Sequence, residues 1–436
     1  MTAQETTPLA ASGASPTPLL RQRDFLALLA GETISQLGSQ ITLFAVPMTA
    51  VLVLGAGGGE IGLLKTLFTL PYFLFPLVVG VVLDRRPRRS AMLMADAGRA
   101  LLVFAIPVLA WNQALAMPHL FVVAFLGGTL SVVFDIAYSA YVPSLVGRER
   151  LAEANSRLQT GYSAAFLAGP GVAGLLVRAV GAASALVFDA ISYLVSFFTI
   201  AALRFQEPAP KLERSRPLFE AWEGVKALYR IVPIRRLTLH ATLFNGFFQL
   251  VEVAFVVYAL RDKQLGPGLF GLVVTIGGIG GLCGALGSAW VARKAGYGLA
   301  MFGAVLAETG IFFLLPAGHG STPVLVMLFG ATFLVGGAGT GVASVLAGTI
   351  RQGFTPNSLM ARVSAGYRML TLGAIPAGAA LAGLMVSLVG VRNTLWLAPF
   401  GLLASVAPIG LTSFRRLRTL PPADEVHPSS TPEARR

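Results

Sequence analysis

The feature that most constrains this chain is a succession of apolar runs, each about as long as a membrane is thick. A helix needs about 20 apolar residues to cross the hydrocarbon core of a bilayer. Against that ruler the sequence holds about twelve spans. Their limits are Phe25–Leu54, Ile61–Leu83, Ala91–Trp111, His119–Tyr141, Thr160–Val177, Ala183–Leu203, Leu237–Leu260, Leu269–Ala292, Leu299–Pro316, Val324–Ile350, Ala365–Val389 and Thr394–Phe414. The runs are continuous rather than alternating, which argues against a β-barrel. Stretches such as Gly277–Ala289 place Gly and Ala at small-xxx-small spacing, which lets membrane helices approach closely. The expectation is an all-α integral membrane protein with twelve transmembrane helices. A mean hydropathy of +0.73 agrees with it.

Charge is sorted by loop. The net charge of +13 could suit nucleic acid, but its placement follows the membrane instead. Basic residues fall in alternate loops: Arg85–Arg89, Arg148 to Arg157, Arg204 to Arg236, Arg293–Lys294, Arg351 to Arg362 and Arg415–Arg418. The opposite loops carry chiefly Arg178, Arg261, Lys263 and Arg392. This positive-inside asymmetry puts both termini and the central loop in the cytoplasm of a multi-pass cell-membrane protein whose partner is the lipid bilayer, not nucleic acid. The expected state is a monomer. The single cysteine, Cys283, lies in an apolar span, and the four histidines are scattered. No disulfide framework or metal site is expected from them. Residues 1–24 read as a disordered cytoplasmic tail without signal-peptide character, and 415–436 read as a second tail.

The longest polar break, 204–236, reads as a cytoplasmic linker with an amphipathic helix over Phe219–Tyr229. About six spans lie on each side of it, by the same length criterion. That division predicts two pseudo-symmetric six-helix bundles, 25–203 and 237–414, an arrangement expected of secondary transporters. The halves echo each other weakly. Leu151–Val177 resembles Leu359–Val386, and Ser288, Ala292 and Arg293 stand where the first half has Gly80, Asp84 and Arg85.

The stretch "GVVLDRRPRRS", Gly80 to Ser90, concentrates charge between two apolar runs. Gly80, Asp84, Arg85, Arg88 and Arg89 resemble the loop motif between the second and third helices of the major facilitator superfamily. Gly161, Gly169, Pro170 and Gly174 resemble that superfamily's antiporter motif, with Ala173-Gly174 in place of its Gly-Gly pair. "LLAGETISQLGSQIT", "LAEANSRLQTGYSAAFLAGPGVAGLL" and "RQGFTPNSLMARVSAGYRML" resemble the branch holding macrolide efflux pumps and the enterobactin exporter. The resemblance spans roughly Arg23 to Arg416. It implies alternating access and proton-driven efflux of an amphiphilic small molecule, a macrolide-like drug or a siderophore. The energy source is then a proton gradient, with no cofactor. Uptake or facilitated diffusion of a metabolite is the alternative. An integral membrane enzyme would need a catalytic cluster near an interface, and no such residue set stands out; a non-transporting membrane scaffold, the other remaining class, would have no need of polar lines facing each other.

A charge at the bilayer centre costs roughly 2.5–3.5 kcal/mol on insertion scales, so it faces a cavity or a partner. Glu32, Gln36 and Ser39 make a polar stripe on the first span. Ser131, Asp135 and Tyr138 do so on the fourth, and Asn245, Gln249 and Glu252 on the seventh. Lipid cannot satisfy such stripes, so they point inward. The resemblance implies that the first, fourth, seventh and tenth helices line the cavity. Glu32, Asp135 and Glu252 are therefore candidates for proton coupling or substrate contact; an interhelical hydrogen bond or ion pair would equally account for each. Asp96 and Arg99, one turn apart, read as a structural cytoplasmic network with Arg157 and Arg362. Asp189 reads as solvated near the outer end, and Glu308 as bound to a local partner. Asp84 is expected to latch the bundles by docking on the helix that begins near Asn357–Arg362. The four arginines beside it need only satisfy topology.

Overall fold

The computed structural model describes residues 19–83, 85–147, 150–205, 207, 225–226, 228–356, 359–410 and 413–419. Asp84, Asn357, residues 1–18, residues 420–436 and most of the Phe219–Tyr229 segment lie outside them. The first half runs α1 (Arg23–Leu52), α2 (Gly58–Thr69), α3 (Pro71–Leu74), α4 (Pro76–Leu83), α5 (Arg88–Trp111), α6 (Met117–Val146), α7 (Leu151–Val180) and α8 (Ala182–Ala201). The second runs α9 (Val232–Val257), α10 (Pro267–Ala295), α11 (Tyr297–Gly310), α12 (Thr322–Phe354), α13 (Met360–Val389), α14 (Val391–Ala404) and α15 (Ala407–Gly410).

Among the described residues 10 helices are long and apolar enough to cross a membrane. The other two of the twelve spans are α1 and the α2–α4 run. In α1 the stripe of Ser35, Gln36, Ser39, Gln40 and Thr42 dilutes the apolar content. The run from Gly58 to Leu83 differs from the single helix expected there, because it is broken before Pro71 and before Pro76. Proline has no N–H to donate and its ring crowds the preceding turn. The break leaves the short α3 at mid-span, carrying Tyr72 and Phe73.

Each half repeats the same pairings. Its first span packs on its fifth and sixth, its third on its fourth, and its second on its fourth. The fifth and sixth spans of each half are joined by a single glycine, Gly181 (φ 89°, ψ 157°) and Gly390 (φ 86°, ψ 164°). That backbone region is open to glycine almost alone.

The bundles meet along two seams, α2 on α13 and α7 on α10. A Cβ on Gly174 would lie 2.7 Å from the Pro267 carbonyl, and one on Gly271 would lie 2.5 Å from that of Pro170. On the other seam Gly62 and Gly383 face each other in the same way. The offset from Gly62 to Gly271 equals that from Gly174 to Gly383, so a pseudo-twofold axis relates the seams. Phe44 on Phe270 (5.1 Å) adds a ring contact between bundles. These contacts lie in the half of each helix nearest the turns at Gly57, Gly181, Gly266 and Gly390, so the bundles are joined at that end, with a cleft facing the other.

Within the second bundle, α10 and α12 pack backbone to backbone. Gly280 faces the Leu334 carbonyl, Gly284 that of Ala338, and Gly341 that of Gly281. A β-branched side chain would force these helices apart, and overpacking costs about 1–3 kcal/mol. Gly284→Val is expected to lower the Tm in detergent, whereas Gly287→Val, with open space at its Cβ, is expected to leave it unchanged. Equal Tm values for the two variants would contradict this packing.

Candidate functional site

The first bundle holds one buried guanidinium among four carboxylates. Arg99 on α5 is 5% exposed and pairs with Asp96 one turn earlier. Its guanidinium lies between the rings of Phe134 on α6 (4.3 Å) and Tyr193 on α8 (4.4 Å). Such stacking suits the flat, weakly hydrated guanidinium. The charges of Glu32 on α1 and Asp135 on α6 also act on Arg99, as does that of Asp189 on α8.

Each acid has its own hydrogen-bond partner. Gln36 donates to Glu32 Oε1 at 2.6 Å, while Glu32 Oε2 is buried without a partner. Tyr72 on α3 donates to Asp135 at 3.2 Å. Thr42 and Ser192 both donate to Asp189. Ser39 and the Tyr193 hydroxyl lie 3.0 Å apart. Tyr138 stacks on Phe134 (5.8 Å) with its hydroxyl buried and unpartnered. Asp135 differs from the rest: it is exposed at mid-helix, on the side that faces the cleft.

Two expectations require correction. Asp189 is not solvated but 0% exposed. Its register on α8 turns it onto α1, and Gly38 makes room, since a Cβ there would lie 2.5 Å from Asp189 Oδ1. Asp96 and Arg99 do not sit with Arg157 and Arg362. The first two are buried in the bundle, whereas Arg157 on α7 and Arg362 on α13 are exposed.

In the second bundle Asn245 donates to the Thr371 carbonyl at 2.9 Å, and Gln249 is buried with Oε1 unpartnered. Glu252 forms an ion pair with Lys65 of α2, which joins the bundles. Glu308 has the local partner expected of it, His240. Its Oε1 lies 3.1 Å from His240 Nε2, and Nδ1 lies 2.8 Å from the Ser405 carbonyl. A carbonyl can only accept, so Nδ1 carries a proton. Arg351 stacks on Tyr367 at 4.3 Å, and Arg368 is exposed on α13.

The loop motif has more structure than topology requires. Arg88 donates to the Ala140 carbonyl (2.8 Å) and Ser144 (3.2 Å), and pairs with Glu207. Arg89 donates to the carbonyls of Ile200 (3.2 Å) and Ala201 (2.7 Å), capping the end of α8. Arg85 and Arg86 are exposed, and Gly80 has open space at its Cβ position. In the antiporter-like motif Gly161 and Gly169 fit against Thr33 and Gln40 of α1, while Pro170 and Gly174 form the seam with α10. Among the described residues no three His, Cys, Asp or Glu side chains converge on a metal position.

Lys65, Tyr72, Thr42, Tyr193 and His240 complete these contacts and carry no spacing signal of their own. They are recognisable only as polar groups in apolar runs, each brought to its partner by helix packing.

A family model described as Major Facilitator Superfamily matches residues 28–374. The chain is 28% identical over 409 residues to the multidrug efflux pump Tap of Mycolicibacterium fortuitum, covering 90% of this chain and 95% of that protein. It is 26% identical over 373 residues to the enterobactin exporter EntS of Escherichia coli, covering 83% and 86%. The crystal structure of a bacterial homologue of the iron transporter ferroportin in its inward-facing state superposes with a TM-score of 0.68 at 19% identity, covering 88% of this chain and 99% of that one.

Removing one member of a buried ion pair costs about 3–5 kcal/mol, because the other charge is left alone. Arg99→Met is expected to lower the Tm sharply, and adding Asp96→Asn is expected to recover part of the loss. A double variant no more stable than Arg99→Met would contradict the pairing.

Proposed function

The chain belongs to the major facilitator superfamily, and from that premise we propose that it exports amphiphilic small molecules by alternating access, driven by the proton gradient. The observation that carries this reading is the shared Arg99 cluster. Asp96 pairs with the buried Arg99, acids on three further helices act on it electrostatically, and one of those, Asp135, is exposed towards the cleft. Acids in a low-dielectric cavity are suited to take up and release protons. A proton taken from the cleft at Asp135 redistributes the attraction of Arg99 among Asp96, Glu32 and Asp189. Those acids sit on α5, α1 and α8, so the shift acts on how the helices of this bundle pack. The efflux relatives support the direction of transport and the substrate class.

Orientation follows from the basic loops, which belong in the cytoplasm. The end that carries Gly57, Gly181 and Gly390 is then extracellular, and the cleft opens inward. In that orientation the Lys65–Glu252 pair helps hold the extracellular end shut, and outward opening must break it. Asp84 keeps its proposed part as a cytoplasmic latch on the start of α13, formed when the inner end closes.

In inside-out vesicles the protein is expected to accumulate a fluorescent macrolide, with a protonophore abolishing the accumulation. Glu32→Gln and Asp135→Asn, at normal expression, are expected to abolish it as well. Accumulation that survives the protonophore would point to facilitated diffusion and sink the coupling. For the gate, spin labels at the exposed Val53 and Leu388 in a Cys283→Ser background report the separation of the bundles. Lys65→Gln is expected to lengthen that distance in a large share of molecules. An unchanged distribution would remove the pair from the gate.

A further inference from the structure

The two bundles bring opposite charges to the cleft. On α6, Asp135 is exposed and accepts one hydrogen bond, from Tyr72. On α13, Arg368 is exposed, and its guanidinium makes no hydrogen bond or ion pair among the described residues. The two act on each other electrostatically but are not in contact as an ion pair, so a gap separates them. The broken second span lies beside this gap. Its piece α3 touches both bundles, with Tyr72 on Asp135 and Phe73 against Gly373 of α13, where a Cβ would lie 2.9 Å from the Phe73 ring. Three other cations of the membrane spans are already engaged. Arg99 is held by Asp96 and two rings, Lys65 by Glu252, and Arg351 by Tyr367. Asp135 and Arg368 keep unused hydrogen-bonding capacity, one as acceptor and one as a forked donor.

We propose that Asp135 and Arg368 form the two poles of a substrate site for dipolar amphiphiles, molecules with a cationic and an anionic group on one apolar frame. The cationic group binds the Asp135 carboxylate, the anionic group takes the Arg368 fork, and the apolar frame lies on Tyr72 and Phe73. A molecule with only one of these charges leaves the opposite pole unpaired in the cleft, and an unmade charge-assisted contact weakens its binding. This inference rests on the exporter reading for its biological sense, but binding alone tests it.

The probes are rhodamine 19, a zwitterion with a free carboxylate, and its ethyl ester rhodamine 6G, which is cationic only. Binding to the purified full chain is read by fluorescence anisotropy. The wild type is expected to bind the zwitterion about tenfold tighter, the worth of roughly one charge-assisted hydrogen bond. Arg368→Gln is expected to erase that preference by weakening rhodamine 19 alone, Arg368→Lys to keep most of it, and Asp135→Asn to weaken both dyes. Size-exclusion profiles check that each variant is folded. Equal wild-type affinities would overturn the site. So would an Arg368→Gln variant that weakens both dyes alike, the result expected if the two charges serve only to close the cleft. Transport of the dyes into inside-out vesicles is read separately. Preferential binding without transport keeps the site and counts against export.

Discussion

Arg99 is the interaction around which the first bundle is organised. A charge at the bilayer centre cannot be left to lipid, and a buried carboxylate without a counter-charge is as costly. One guanidinium meets both needs for acids on α1, α5, α6 and α8. Planarity lets it lie between Phe134 and Tyr193, and it acts on acids in several directions. Lysine, a point charge on a flexible stem, would serve neither function as well. Every helix that supplies an acid is thereby tied electrostatically to α5, and a change of charge on any one of them is felt by the rest.

The second bundle has the same helix pairings without that centre. Its acids are settled singly, Glu308 with His240 and Glu252 with Lys65 across the seam. The glycine seams obey the pseudo-twofold closely, since Gly62, Gly174, Gly271 and Gly383 correspond in pairs. Backbone packing has kept the symmetry of the halves while ionisable chemistry has not.

Much of the fold was legible because it rests on an average over many residues, the length of the apolar spans. The polar stripes were legible too, because Glu32, Gln36 and Ser39 recur at the period of a helix, and in lipid that stripe can only face inward. What escaped depended on single contacts between distant segments. Asp189 looked peripheral by its distance from the helix end. Its burial follows from rotation of α8 against α1 and from the room left at Gly38, neither of which is written in local pattern. The Lys65–Glu252 pair joins residues from different halves, and the arginine contacts of the loop motif reach carbonyls that no side-chain motif records. The break in the second span was visible as Pro71 and Pro76, but an apolar run of ordinary length conceals it.

The charged loop gains a physical connection to the acid cluster through α8. Arg89 satisfies carbonyls at the last turn of α8, which would otherwise end unpaired, and a cation there also favours the helix dipole. Arg88 ties the start of α5 to α6. The same α5, α6 and α8 carry Arg99 and Asp96, then Phe134 and Asp135, then Tyr193 and Asp189. The loop contacts and the cluster are therefore carried by the same three helices. Arg88 and Arg89 thus clamp together the three helix ends whose interiors hold the shared cation.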